Sequence, residues 1–117
     1  MNNFKELKVW QKAVYFSVMI YKTVENFPSK EQFGIISQMS RCSVSIPSNI
    51  AEGAGRTTKK DFSHFLAIAL GSSFELETQL VIANKVGYLS KEKLNNLNSE
   101  LNEIQKMIRG LQKHNLT

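Results

Sequence analysis

The chain has 117 residues, 42% of them hydrophobic and 21% charged, with one cysteine and a net charge of +5. That length predicts a single domain, residues 1–117, large enough for a real hydrophobic core, and that composition excludes disorder. The lone Cys42 excludes an intrachain disulfide and a thiolate zinc cluster, and points to a reducing, cytoplasmic setting.

The N-terminus, MNNFKELKVW, lacks the basic-then-apolar order of a signal peptide, and residues 3–8 read as an extended lead-in. The longest apolar run, Ala13 to Tyr21, falls well short of the ~20 residues of a membrane span, so no membrane is expected. A first helix is predicted from about Val9 to Asn26, with Trp10, Ala13, Val14, Ser17, Ile20, Tyr21 and Val24 on its core face. Phe27-Pro28 ends it, because a residue before proline avoids helical dihedrals. Ser29 with Gln32 reads as a capping box for a second helix, kinked ahead of Pro47 and ended by Gly53-Ala54-Gly55. Thr58 caps a third, whose stripe is Phe62, Leu66, Ala69, Ser73, Leu76, Leu80 and Ala83, with Gly87 as its terminator. Ser90 caps a fourth, striped by Leu94, Leu97, Leu101, Ile104, Ile108 and Leu111. Four amphipathic helices joined by short turns make an all-α, up-down antiparallel four-helix bundle.

The first helix is apolar nearly all round. Opposite its predicted core face stand Tyr15 and Met19 among Lys8, Lys12 and Lys22, with Phe16 and Val18 beside them. The third helix likewise has Ile68, Phe74 and Ile82 off its main stripe. Helices buried on two sides imply self-association, so these seven apolar residues are the expected oligomer interface.

The chain resembles the four-helix-bundle family first seen as proteins encoded in intervening sequences of bacterial 23S ribosomal RNA genes. The resemblance rests on Leu7-Lys8-Val9-Trp10-Gln11-Lys12-Ala13, Phe27-Pro28, Gln38-Met39-Ser40-Arg41, the run Ser45-Ile46-Pro47-Ser48-Asn49-Ile50-Ala51-Glu52-Gly53, Gly71-Ser72 and Glu75-Leu76-Glu77-Thr78-Gln79. It covers residues 7 to about 88; the fourth helix matches only as a heptad pattern. The family is similar to the accessory variability determinant of diversity-generating retroelements. That similarity implies a homopentameric ring working with a reverse transcriptase and nucleic acid.

Charge is uneven along the sequence. Residues 1–60 hold nine lysines and arginines against four glutamates, whereas residues 61–117 balance six against six. A one-sided basic surface suits an anionic partner, and the candidate nucleic-acid contacts are Lys5, Lys8, Lys12, Lys22, Lys59 and Lys60. The alternative is a solvated lysine face. Arg41, Asn49, Glu52, Arg56, Glu75 and Glu77 read as a polar network tying the second helix to the third; the alternative is a ligand site. A di-metal centre would need paired Glu-x-x-His units, and only Asp61-x-x-His64 comes near; neither histidine has a local nucleophile and acid. The expectation is no enzyme, no catalytic residue, no metal and no cofactor. The predicted function is an oligomeric scaffold binding structured RNA or an RNA–DNA hybrid. The alternative is a protein-interaction module for a polymerase such as a reverse transcriptase, or for another host factor, without nucleic-acid contact.

Overall fold

Apolar side chains spaced three and four apart place a stripe on each helix, and four such stripes close on one another here. The computed structural model describes residues 3–115. These form α1 (Lys8–Val24), α2 (Ile35–Ala54), α3 (Lys59–Lys85) and α4 (Lys91–Asn115), with no strand among the described residues. Each helix packs against its neighbours in sequence, and α4 closes the ring against α1. Side-chain pairs fix the antiparallel course: Ser17 with Ser43, Cys42 with Gln79, Ser45 with Ser72, and Glu77 with Gln105.

The whole predicted α3 stripe is buried, from Phe62 to Ala83, and so is that of α4 from Leu94 to Ile108, with Leu111 half-buried. Thr58 caps α3 by accepting from the Asp61 N–H at 3.1 Å, and Ser90 caps α4 through Lys93 at the same distance. Gly87, at φ +91°, ends α3 in a Schellman turn, with the Tyr88 N–H on the Ala83 carbonyl.

Three local expectations are corrected. The lead-in is not extended: Phe4–Glu6 form a 3-10 turn capped by Asn3, and Phe4 meets the Trp10 ring edge-on at 5.3 Å. No capping box opens α2. Ser29–Glu31 are a separate 3-10 turn, and Gly34, at ψ −120°, breaks the helical run, so α2 starts at Ile35 and continues unbroken through Pro47. As expected, α2 ends within Gly53-Ala54-Gly55, at Ala54 with Gly55 as its cap, and Gly53 lies buried where α2 crosses the start of α3. The core face of α1 is turned from the predicted one. Val9 and Phe16 are buried, while Val14 and Tyr21 face outward at 36% and 50% exposure. A helix apolar on most sides offers more than one stripe, and contacts with α2 and α4 choose among them.

The outer face of α3 is unusual. Its exposed positions from Ala67 to Ile82 are Ala67, Ile68, Gly71, Phe74, Glu75, Thr78, Val81 and Ile82, with a single charge. Lys59–Lys85 is consequently long and apolar enough to cross a membrane by length and composition, although the sequence shows no single long apolar run. In the bundle this helix packs on both α2 and α4.

Candidate nucleic-acid interface and polar contacts

Alternating helix direction brings the start of α1, the end of α2, the start of α3 and the end of α4 to one end of the molecule. A cavity of about 410 Å³ opens there, with Leu7, Ala54, Phe62 and Leu111 as its apolar part and Arg56, Lys59 and His114 as its basic part. No carboxylate lines it among the described residues, although Glu6 and Asp61 stand next to its lining in sequence and Glu52 pairs with Arg56. Lys5, Lys8 and Lys60 flank these residues in sequence and are exposed, as is Lys12 one turn further along α1. Lys8 and Lys12 share a shallow groove with Tyr15 and with Glu100 of α4. Lys22 is exposed but lies at the far end of α1. Five of the six candidate lysines thus belong to one end of the bundle. Helix direction, rather than spacing in the chain, unites them.

The predicted polar network does not form as one unit. Glu52 pairs at 3.5 Å with Arg56, just past the end of α2, and the Arg56 guanidinium lies 4.8 Å over the Phe65 ring. Asn49 donates to both the carbonyl and the hydroxyl of Ser45, and the Ser45 hydroxyl meets that of Ser72 at 2.8 Å, joining α2 to α3. Glu77 turns the other way and accepts from Gln105 of α4 at 2.9 Å. Arg41 and Glu75 line a common groove with Cys42, Ser45 and Ser72, yet make no ion pair among the described residues. Both are exposed, so neither needs a compensating partner. The expectation of an inward carboxylate paired to an α2 cation fails because Glu77 reaches the α3–α4 seam.

The polar contacts that do cross the core are smaller. Ser17 and Ser43 share a hydrogen bond of 3.0 Å between α1 and α2 while both are buried. The Gln79 amide donates to the Cys42 sulfur at 3.5 Å, and the Gln79 carbonyl oxygen is buried without a hydrogen-bond partner among the described residues. Burial pushes the Cys42 thiol above its ordinary value, the Gln79 contact offsets part of that rise, and nearby Glu75 adds to it. A neutral thiol of this kind is a poor nucleophile. Serines and a glutamine inside heptad stripes are the sequence signal for this layer, but nothing in the sequence pairs them.

Of the expected interface residues, Tyr15, Val18, Ile68, Phe74 and Ile82 are exposed. Phe16 is a correction: at 1% exposure it belongs to the core. Met19 is a partial one, since it is half-buried against the core. Val14, Tyr21, Phe33, Val44, Val81 and Val86 are further outward apolar residues that sequence reasoning missed. Phe74 also lies under the Arg109 guanidinium at 5.8 Å. Among the described residues, no three of His, Cys, Asp and Glu come together in a way that could hold a metal ion.

The family model described as 23S rRNA-intervening sequence protein matches residues 5–110. A crystal structure of a protein of unknown function from the S23 ribosomal protein family of Bacteroides thetaiotaomicron is similar, with 30% sequence identity and a TM-score of 0.81. The likeness covers 90% of this chain and 98% of that one. No curated protein matches the chain.

Proposed function

Because the chain belongs to the 23S rRNA-intervening sequence protein family, we propose that it is a non-catalytic, self-associating scaffold that binds structured RNA or an RNA–DNA hybrid through its basic end. The observation that supports this most is the meeting of Arg56 and Lys59 in one cavity, with Lys5, Lys8 and Lys60 beside its lining in sequence and no carboxylate lining it among the described residues. Such a cluster recognises phosphates by charge and shape rather than by base edges. Binding of a structured RNA hairpin, followed by fluorescence anisotropy as salt is raised, tests the reading. Affinity that falls steeply with salt is the expected result, and no binding at low salt overturns it.

Self-association is the second part of the proposal. The outer α3 face, with one charge among eight exposed positions, and the α1 face around Val14, Tyr15 and Val18 lie on different helices. Two unlike apolar faces on one chain favour head-to-tail contacts, which close into a ring when the rotation allows. The family's similarity to the accessory variability determinant of diversity-generating retroelements favours a ring of five. The same faces favour one other reading, a module that docks on a polymerase such as a reverse transcriptase without touching nucleic acid. Loss of RNA binding with the oligomer intact would select it.

A further inference from the structure

At the end of the bundle opposite the basic cavity, α1 runs out and α2 begins around a groove of about 650 Å³. Phe33 stands on its rim with 96% of its surface exposed, the most exposed large hydrophobic side chain among the described residues. Tyr21, half-exposed, lines the same groove. Gln32 and Ser37 also line it, and their side chains make no hydrogen bond among the described residues. Arg41 lines it too and forms no ion pair among the described residues. Lys22 and Lys30, each next in sequence to a lining residue, are exposed. With Arg41 they outnumber Glu25 and Glu31, and Glu31 already accepts from the Tyr88 hydroxyl at 2.9 Å.

We infer that this groove binds an unpaired nucleotide, with Phe33 as the surface on which its base stacks. The inference rests on the nucleic-acid reading above and adds to it a preference for single-stranded segments. An exposed phenylalanine offers a flat face that any base can cover. The Gln32 amide and Ser37 hydroxyl can hydrogen-bond a base edge or a ribose, and the Arg41 guanidinium suits the attached phosphate. An apolar protein or lipid surface would instead cover Arg41, Gln32 and Ser37 without satisfying them, at a desolvation cost. A nucleotide meets the ring, the amide, the hydroxyl and the cation together. Bases in a duplex are already stacked and paired, so Phe33 contributes little to binding one.

The test compares Phe33→Ala and Phe33→Trp with the parent chain, using oligoadenylate and a blunt RNA duplex of equal length as probes. Oligomer size and thermal midpoint are recorded in the same samples. Phe33 is almost fully exposed, so both variants should fold as the parent does. The expected result is a loss of about tenfold or more in single-strand affinity for Phe33→Ala, retained affinity for Phe33→Trp, and duplex affinity unchanged. Equal losses on both probes, or none, overturn the stacking role while leaving the basic-end reading in place. A change in oligomer size with RNA affinity untouched would make Phe33 a subunit contact and also overturn it. If the parent binds neither probe, the nucleic-acid reading itself fails.

Discussion

Gly53 of α2 lies so close to Phe65 of α3 that a methyl group on the glycine would sit 2.7 Å from the Phe65 Cβ and 2.9 Å from the Phe62 ring. Glycine inside a helix costs roughly 1 kcal/mol relative to alanine, so its presence here reflects the crossing rather than the helix.

Gly53→Ala should therefore destabilise the fold despite its better helix propensity. Overpacking typically costs about 1–3 kcal/mol. Urea unfolding at equilibrium checks the prediction; a midpoint equal to or above the parent's would mean that α2 and α3 move apart at no cost.

Glu77→Ala should cost about 1 kcal/mol, the usual net worth of one hydrogen bond, because its partner is Gln105 and the contact is half-buried. The larger loss typical of a broken buried ion pair does not apply. Glu77→Gln keeps an acceptor and should recover most of the stability. A thermal midpoint for Glu77→Ala that matches the parent's would mean that water replaces Gln105.

Much of the bundle was legible in the sequence. Thr58 and Ser90 cap as their positions predict, and the α3 and α4 stripes are buried along nearly their whole length. These features are local, set by side chains within one turn of the backbone they serve. What escaped was relational. The facing of α1, with Phe16 inside and Tyr21 outside, depends on which neighbours pack against it. Glu77 finds Gln105 only once α3 and α4 are in register. The basic end needs all four helix directions before Leu7, Arg56, Lys59 and His114 line one cavity, and no spacing along the chain encodes that.

Ile82→Glu should dissociate the assembly while leaving helicity intact, because Ile82 is about half-exposed on the outer α3 face. Light scattering should report the parent at several times 13.3 kDa and the variant near that mass. A monomeric parent at micromolar concentration would end the self-association proposal.

Changing Lys8, Lys59 and Lys60 together to Gln should flatten the salt dependence of RNA binding. If about 5 phosphates are neutralised, log K falls against log salt with a slope of about −4 to −5, and each lost contact removes about 0.9 of it. An unaltered slope would place the phosphate contacts elsewhere on the molecule.

Stability should fall on the alkaline side. Burial raises the Cys42 thiol, and the hydrogen bond to Glu31 raises the Tyr88 hydroxyl. In both cases the folded chain holds its proton more tightly than the unfolded chain does. Their contributions are therefore complete below the ordinary thiol and phenol values, about 8.5 and 10, and are lost as pH rises through the raised ones. Cys42→Ala should remove the earlier part of the decline and Tyr88→Phe the later part, read as thermal midpoint against pH. Identical profiles for parent and variants would show that neither group is linked to folding.

The hydroxyl bridges of the bundle are unevenly shared. Ser17 with Ser43 and Ser45 with Ser72 pin α1, α2 and α3 at fixed heights, so sliding any of the three by one turn would part a bond. The fourth helix has no such pin. Its buried side chains are leucines and isoleucines, and it meets α3 through Gln105 on Glu77 and Arg109 over Phe74. Grease tolerates substitution of one well-shaped stripe for another in a way that a pin does not. Register of α4 therefore rests on one amide–carboxylate contact and on side-chain shape, whereas α1, α2 and α3 are keyed to one another by hydroxyls as well.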